Sequence, residues 1–152
     1  MRKKLLLIAV IVGISALFIT AGIYAGTKVP DVIKMENKAY KKHKKSIMTF
    51  SHKKHIEEYK AGCGECHHDK DNKPLNDLKE GDNVQNCIEC HKKPGERPKG
   101  KGAPKLSKKQ RLDYHAEAIH YNCKGCHKKF NKKNKTKKAP TTCTKCHPKK
   151  KK

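Results

Sequence analysis

The sequence predicts a mostly α-helical fold with extensive loops, in which short helices wrap around a core that the polypeptide does not supply. The chain has 152 residues, enough for one small domain and a targeting segment. Beyond residue 25 the apolar residues are few and scattered, a composition that by itself buries too little surface to fold. Helix signals are short, from Ser51 to about Lys60 and from Ser107 to about Tyr121. Prolines and glycines between residues 92 and 104 predict a loop that divides the chain into two parts.

A repeated cysteine motif indicates what the core is. All eight cysteines fall in four copies of C-x-x-C-H, and none is left over. This motif is typical of c-type haem attachment, because two thiols at this spacing can form thioethers to the vinyl groups of one haem, while the histidine binds its iron. The attachment residues are Cys63, Cys66, Cys87, Cys90, Cys123, Cys126, Cys143 and Cys146. The proximal iron ligands are His67, His91, His127 and His147.

Four covalently bound haem c groups therefore form the predicted core of a small multihaem cytochrome. The haem-free chain should be largely unfolded, since a small chain with so few apolar residues needs such a covalent support. Two other interpretations explain the motifs less well. Zinc sites also use C-x-x-C pairs, but zinc does not need a histidine directly after every second cysteine. A disulfide framework would leave the four histidines unexplained.

The N-terminal region has the pattern of an export signal. Arg2, Lys3 and Lys4 precede an uncharged run from Leu5 to Gly26. The run suits either a cleaved signal peptide or a retained membrane anchor, and in both cases the rest of the chain lies outside the cytoplasm, in the periplasm. The predicted organisation is a signal peptide or N-terminal membrane anchor at 1–25, a lysine-rich spacer at 26–46, a tetrahaem cytochrome c domain at 47–148 and a basic tail at 149–152.

Each haem iron has a second axial position, and six of the ten histidines remain to fill four such positions. Methionine is the other common ligand, but only Met35 and Met48 follow the export signal, so bis-histidine ligation is the economical solution. His52 and His55 are three residues apart and share one face of a helix, from which they can reach two different irons. His68 directly follows a proximal histidine, so its side chain points elsewhere and can serve a neighbouring haem.

The last distal position is left open between two histidines. His120 lies three residues before Cys123 and is the stronger candidate. His115 lies five residues earlier and is the alternative. His43 sits among four lysines and is expected to be a solvated surface residue.

The charge distribution predicts the kind of partner. The formal net charge is +24, from 38 basic residues, nearly all of them lysine, against 14 acidic ones. From Cys123 onward there is no Asp or Glu, so a lysine-rich patch surrounds the last two motifs. Any single lysine is explained by solvation, whereas the whole asymmetric patch favours steering towards an acidic redox partner. Nucleic acid would also be attracted, but export separates the chain from it, so no nucleic-acid partner is predicted.

Taken together, the motifs resemble a known family. The string Phe50-Ser51-His52-Lys53-Lys54-His55 gives F-x-H-x-x-H before the first attachment motif, and Cys66-His67-His68 doubles the histidine within it. With four attachment motifs in a compact region, the sequence resembles the low-potential tetrahaem class III cytochromes c of anaerobic bacteria. Many members have four residues between the cysteines in two of their motifs, whereas all four motifs here are C-x-x-C-H.

The resemblance implies a fold of short helices and long loops around four closely spaced haems, with Phe50 between the first and the third. It also implies one distal histidine for each proximal one. From the first haem to the fourth the implied pairs are His52 with His67, His68 with His91, His55 with His127, and His120 with His147.

The predicted function is electron transfer in anaerobic respiration by a carrier that is not an enzyme. By resemblance, the partners are acidic redox proteins such as hydrogenase, formate dehydrogenase or membrane multihaem complexes, and the membrane itself is a partner only if the N-terminal segment is retained. The alternatives are a membrane-anchored tetrahaem quinol dehydrogenase and an extracellular metal reductase. A multihaem reductase with a vacant iron position is a further one, but no Ser/His/Asp arrangement or carboxylate pair supports it.

Overall fold

The computed structural model describes residues 29–149, and over that range short helices are joined by long loops. In chain order the elements are β1 (Ile33–Lys34), β2 (Thr49–Phe50), α1 (His52–Glu57), a 3₁₀ turn (Cys63–Glu65), α2 (Cys87–Cys90), α3 (Lys108–Leu112), α4 (His115–Ile119), a π-helical turn (His120–Lys124), α5 (Gly125–Lys133) and α6 (Cys143–Cys146). The longest described helix, α5, has nine residues. The prediction of a small, mostly helical fold with extensive loops is confirmed.

The segment before residue 47 belongs to the same compact unit as the residues that follow it. That unit comprises residues 30–78 and 84–149 of the described range. β1 pairs antiparallel with β2, so that Ile33 lies opposite Phe50. The pairing continues by one bond, because Met35 donates its backbone N–H to the carbonyl of Met48 at 2.9 Å. The predicted spacer at 26–46 therefore contacts the predicted domain at 47–148, and the boundary between them stays a prediction.

One described segment, residues 79–83, is not part of that unit. Residues 79–83 form a turn of their own, in which the backbone N–H of Lys79 donates to the Asp82 carboxylate at 2.7 Å. The predicted signal peptide or anchor at 1–25 and residues 150–152 of the predicted basic tail lie outside the described residues. Between residues 29 and 149, none of the helices combines the length and the apolar character that a membrane crossing requires.

Helix α1 carries both histidines of the F-x-H-x-x-H string. It begins after Ser51, as predicted, and its exposed ion pair between Lys53 and Glu57 at 3.8 Å adds little stability. It ends at Glu57, earlier than the predicted end near Lys60, and Lys60 itself adopts the left-handed conformation with φ 52°. Ala61 then donates its N–H to the carbonyl of His55 at 2.8 Å, which closes the helix end.

The helical region after residue 107 is divided more finely than the sequence predicts. Its start at Ser107 is confirmed, because Ser107 and Gln110 form a reciprocal capping box. The predicted helix to Tyr121 is interrupted at Tyr114, whose backbone is extended. The cause is a bridge to Lys93, which accepts the backbone N–H of His115 at 2.8 Å. From α4 onward the chain runs through the π-helical turn directly into α5.

The loop predicted between residues 92 and 104 is confirmed, since no helix or strand lies there. Gly95 has φ 85°, a conformation that side chains disfavour, and it turns the chain back towards α4. The carbonyl of Gly95 accepts the N–H of Ala116 at 3.1 Å, which fixes this part of the loop beside α4.

The described residues contain almost no conventional hydrophobic core. Only Ala118 and His115 are buried, at 8% and 7% exposure. Large apolar side chains such as Tyr59 and Tyr121 are more than half exposed. Polypeptide packing alone therefore contributes little to the stability of this chain.

Candidate haem-binding centre

Each C-x-x-C-H motif forms one helical turn. The first lies in the 3₁₀ turn, the second and fourth in α2 and α6, and the third spans the π-helical turn and the start of α5. In the first, second and fourth motifs the histidine N–H donates to the carbonyl of the first cysteine at 2.7–2.9 Å. Positions i, i+3 and i+4 lie on one helical face, so the two thiols and the histidine are neighbours. All eight cysteines are free thiols, so no disulfide joins them.

Burial favours the protonated form of three cysteine thiols by raising their pKa. Burial, followed by the neighbouring thiols of Cys66 and Cys87, raises the pKa of Cys123 to about 11. Burial also raises the pKa of Cys66 and that of Cys87. Metal ions bind thiolate rather than thiol. In the described part of the chain no group of three or more His, Cys, Asp or Glu could hold a metal ion, and the zinc interpretation has no support there.

Four pairs of histidine rings face one another, each joining a motif histidine to one of the others. The ring centroids are 6.4 Å apart in His52–His67, 6.0 Å in His68–His91, 6.2 Å in His55–His127 and 6.3 Å in His120–His147. Imidazole nitrogen binds a metal at about 2.0–2.1 Å and the ring centre lies roughly 1.1 Å behind it, so two rings on one ion have centres about 6 Å apart. The four facing pairs have this spacing, and they are the pairs that the resemblance implies. Iron ligation by these eight residues stays a prediction.

The second ring nitrogen shows whether these histidines can bind a metal. In five of the eight, Nδ1 lies within hydrogen-bond distance of a backbone carbonyl: His55 with Ser51 (2.8 Å), His68 with Asp69 (2.7 Å), His91 with Leu112 (2.6 Å), His127 with Pro140 (2.7 Å) and His147 with Ser46 (2.8 Å). A carbonyl only accepts, so Nδ1 carries the proton and donates it, which leaves Nε2 unprotonated. Metal-binding histidines are almost always anchored in this way. The donor set therefore fits axial ligation of haem iron through Nε2.

The other three histidines of the facing pairs have different surroundings. Nδ1 of His52 is buried without a hydrogen-bond partner among residues 29–149. Nδ1 of His120 lies 3.8 Å from Oε1 of Glu96, which is an ion-pair distance. Burial lowers the pKa of His67 and of His120, although Glu96 opposes this effect in His120. A lowered pKa favours the neutral imidazole, the form that a metal ion binds.

His115, the alternative to His120, does not face a motif histidine. It is buried, and its Nδ1 lies 2.8 Å from the hydroxyl of Tyr40. The Tyr40 ring stacks on His43, with centroids 4.8 Å apart. Burial lowers the pKa of His115 and raises the pKa of Tyr40, so both groups are neutral. The expectation that His43 is a solvated surface residue is wrong, because stacking on Tyr40 leaves it half-buried.

Phe50 lies beside both histidines of α1. Its ring centroid is 5.7 Å from that of His52 and 4.6 Å from that of His55. His52 faces the first motif and His55 faces the third, so Phe50 lies where the first and third sites meet. Its predicted packing between two haems stays a prediction.

Lysines gather around the fourth motif. A cavity of about 790 Å³ is lined by Cys143 and His147 together with Lys42, Lys44, Lys45 and Lys149, and none of its lining residues is acidic. Lysines that precede the first motif thus join those that follow the last one. The result is a positively charged surface at the fourth site, which attracts negatively charged partners.

Sequence reasoning missed the groups that anchor the ring nitrogens. Most of them are backbone carbonyls, such as those of Ser46 and Leu112, and a carbonyl has no sequence signature. Tyr40 and Glu96 carry a weak signal, an aromatic residue in a polar segment and an acid in a basic loop. Nothing local in the sequence tells which histidine either of them meets.

Comparison with known proteins gives one family. The family model described as Class III cytochrome C family matches residues 29–147, well over half of the chain. The matched range contains all four C-x-x-C-H motifs and all eight histidines of the facing pairs. No curated protein and no solved structure matches the chain.

Proposed function

The chain belongs to the class III cytochrome c family, and we propose that it is an exported tetrahaem electron carrier of anaerobic respiration. Proteins of this family bind several c-type haems covalently, carry electrons rather than convert a substrate, and are typically exported. The proposal adds the number of haems and their ligands. One haem is attached at each C-x-x-C-H motif, and each of the four facing histidine pairs binds one iron.

The distance between the facing rings carries this proposal. Centroids 6.0–6.4 Å apart suit two imidazoles on one iron in every pair. Two histidines would hold each iron and would leave no position on it for a substrate. When bound, each haem supplies a one-electron couple, and bis-histidine ligation keeps its potential below that of a Met/His site. The chain itself holds, orients and spaces these groups.

The proximity of the first and third motifs supports electron exchange between sites. Asn122 donates from its side-chain Nδ2 to the carbonyl of Cys66 at 3.1 Å, which joins the residue before the third motif to the first motif. The thiol of Cys66 also contributes to the raised pKa of Cys123. The two attachment turns therefore lie side by side, as transfer between neighbouring haems requires.

The proposed compartment is the periplasm, and the proposed partners are acidic redox proteins such as hydrogenase, formate dehydrogenase or membrane multihaem complexes. The lysines around the fourth site support this choice, since a cavity lined by four lysines and no acidic residue steers negatively charged partners towards it. Nucleic acid is not a proposed partner. Contact with the membrane is proposed only for a chain that retains residues 1–25.

Haem quantitation with low-temperature electron paramagnetic resonance (EPR) tests the cofactor part of the proposal. The purified protein should contain four haem c groups per chain, all ferric and low-spin when oxidised. Reduced protein should not bind carbon monoxide, because both axial positions are taken. A high-spin ferric signal, or carbon monoxide bound by the ferrous protein, would show an open iron and contradict the proposal.

The partner surface is tested by two matched double variants. K42Q/K44Q removes two lysines that line the cavity at the fourth site, and K70Q/K73Q removes two exposed lysines that do not line it. Reduction by an acidic redox protein, followed by stopped flow, should slow several-fold at low salt in the first variant and much less in the second. The difference should shrink as salt screens the charges. Equal slowing in both variants would show that overall charge, rather than this surface, governs docking.

A further inference from the structure

The surroundings of His120 differ from those of the other histidines that face a partner ring. Five of those histidines direct Nδ1 at a neutral backbone carbonyl. Nδ1 of His120 instead lies 3.8 Å from Oε1 of Glu96, a carboxylate at ion-pair distance. Among residues 29–149, no other of the eight facing histidines has a carboxylate within ion-pair distance. One site of the four therefore has a formal negative charge next to a ligand ring.

A lysine fixes the orientation of this carboxylate. Nζ of Lys99 donates to Oε2 of Glu96 at 2.9 Å, which leaves Oε1 facing His120. Lys99 also lies 3.9 Å from Glu117, which limits its movement. The carboxylate beside His120 is thus held in one orientation.

Backbone hydrogen bonds hold the loop that carries Glu96 against the helix. Lys93 accepts the N–H of His115 at 2.8 Å, and Gly95 accepts the N–H of Ala116 at 3.1 Å. These bonds place Glu96 beside α4, whose continuation carries the facing histidine. The backbone therefore brings Glu96 close to His120, and Lys99 orients its carboxylate.

We propose that Glu96 is a positioning residue for the fourth haem, which orients His120 and lowers the reduction potential of that haem. The proposal rests on the proposed function, because it requires His120 and His147 to bind one iron. A negative charge near Nδ1 of His120 makes the imidazole a stronger electron donor to the iron. It also stabilises ferric iron, which carries one more positive charge than ferrous iron. The surrounding lysines favour the ferrous form, and Glu96 opposes them at this one site.

Potentiometry and EPR of the holoprotein test the proposal. E96Q should change the one-electron reduction equilibrium of a single haem about tenfold, which is 59 mV towards higher potential. The g values of one low-spin species should change while those of the other three stay the same. E96D keeps the charge and should restore most of the wild-type potential. K99Q removes the cation that neutralises Glu96 and should shift the same haem in the opposite direction.

The matched control is E36Q, because Glu36 is an exposed carboxylate paired only with Lys34, at 3.0 Å, within the described range. E36Q removes the same charge from a different place. The proposal is wrong if E96Q shifts the potential of no haem, or if it shifts the potentials of all four haems by the same amount as E36Q. If E96Q binds only three haems, E96D and K99Q are tested instead. The proposal is then wrong if K99Q shifts the potential of no haem, or of all four haems equally, or if E96D does not stay close to the wild-type potential. Fewer than four low-spin haems in the wild-type protein would instead overturn the proposed function, before any variant is compared.

Discussion

Two helical segments each carry two histidines, and the structure uses them differently. In α1, His52 and His55 are three residues apart and face the histidines of two different motifs. In the segment from α4 into the π-helical turn, His120 faces a motif histidine, whereas His115 bonds to Tyr40. At 3.6 residues per turn, a separation of three leaves side chains about 60° apart around the helix, and a separation of five turns them about 140° apart.

The difference shows that angular position on the helix, rather than the number of histidines nearby, determines which rings face the motifs. Both rings of α1 lie on one face, so both point towards motif histidines. The second segment turns one ring towards the fourth motif and buries the other against Tyr40. His115 thereby joins the N-terminal segment to α4 and has a structural role.

Removing haem is expected to have the largest effect, because the proposed irons would lie between His52, His55 or His120 and the motif histidines that they face. Only two described residues, Ala118 and His115, are buried, so neither segment has a polypeptide core to return to. Haem-free protein should show little helix in far-ultraviolet circular dichroism and no cooperative thermal transition. A cooperative transition in that protein would show that the polypeptide folds alone.

Replacing His115 and His120 separately tests the comparison between the two segments directly. H120A should leave one iron with a single imidazole, so that one haem in four becomes high-spin and its ferrous form binds carbon monoxide. H115A should keep four low-spin haems. EPR and carbon monoxide difference spectra measure both outcomes. The reverse result would mean that the two histidines exchange roles.

The structural role of His115 predicts a loss of stability in H115A. The substitution leaves a cavity and an unpaired Tyr40 hydroxyl, and it should lower the free energy of unfolding by about 2–3 kcal/mol. Y40F removes only the hydrogen bond and should cost about 1 kcal/mol. Denaturant titration of the holoproteins measures both values. A smaller loss in H115A than in Y40F would contradict the burial argument.

The pKa of His115 predicts a pH dependence in the mildly acidic range. Burial lowers this pKa in the folded chain, so the unfolded chain takes up the proton more readily. The stability that neutral His115 contributes is present above its unfolded pKa of about 6.5 and is lost as the pH falls towards the folded value. Denaturation midpoints should therefore fall more between pH 7 and pH 5 in the wild type than in H115N. Parallel pH profiles would exclude His115 as the source.

The smallest effect is expected from the exposed ion pairs of α1, because they contribute little to the stability of the helix. E57Q breaks the pair with Lys53, which spans 3.8 Å on the helix surface, and should cost about 0.3–0.5 kcal/mol. K53Q should cost the same, since either change breaks one pair. A loss above 1 kcal/mol in both would mean that surface charges contribute substantially to this helix.

Much of the candidate site follows from local sequence spacing. The C-x-x-C-H turns and the shared face of His52 and His55 depend only on residues within one or two helical turns, so the sequence predicts them. The family resemblance implied the ring pairs. The break at Tyr114 could not be predicted, because it arises from a bridge to Lys93, about twenty residues earlier. The half-buried state of His43 depends in the same way on Tyr40, which is itself held by His115.

The bond between His147 and Ser46 has a consequence for biogenesis. The donor and the acceptor are 101 residues apart, and the side chain of Ser46 also bonds to the carbonyl of Pro148. Closing so long a loop costs considerable chain entropy, so this contact forms late. During synthesis the carbonyl of Ser46 emerges long before the ring of His147, which donates to it. Deleting the residues before residue 47 would therefore damage the fourth site, which lies farthest from the deletion in sequence. The second and third motifs would keep the carbonyls that accept from their histidines.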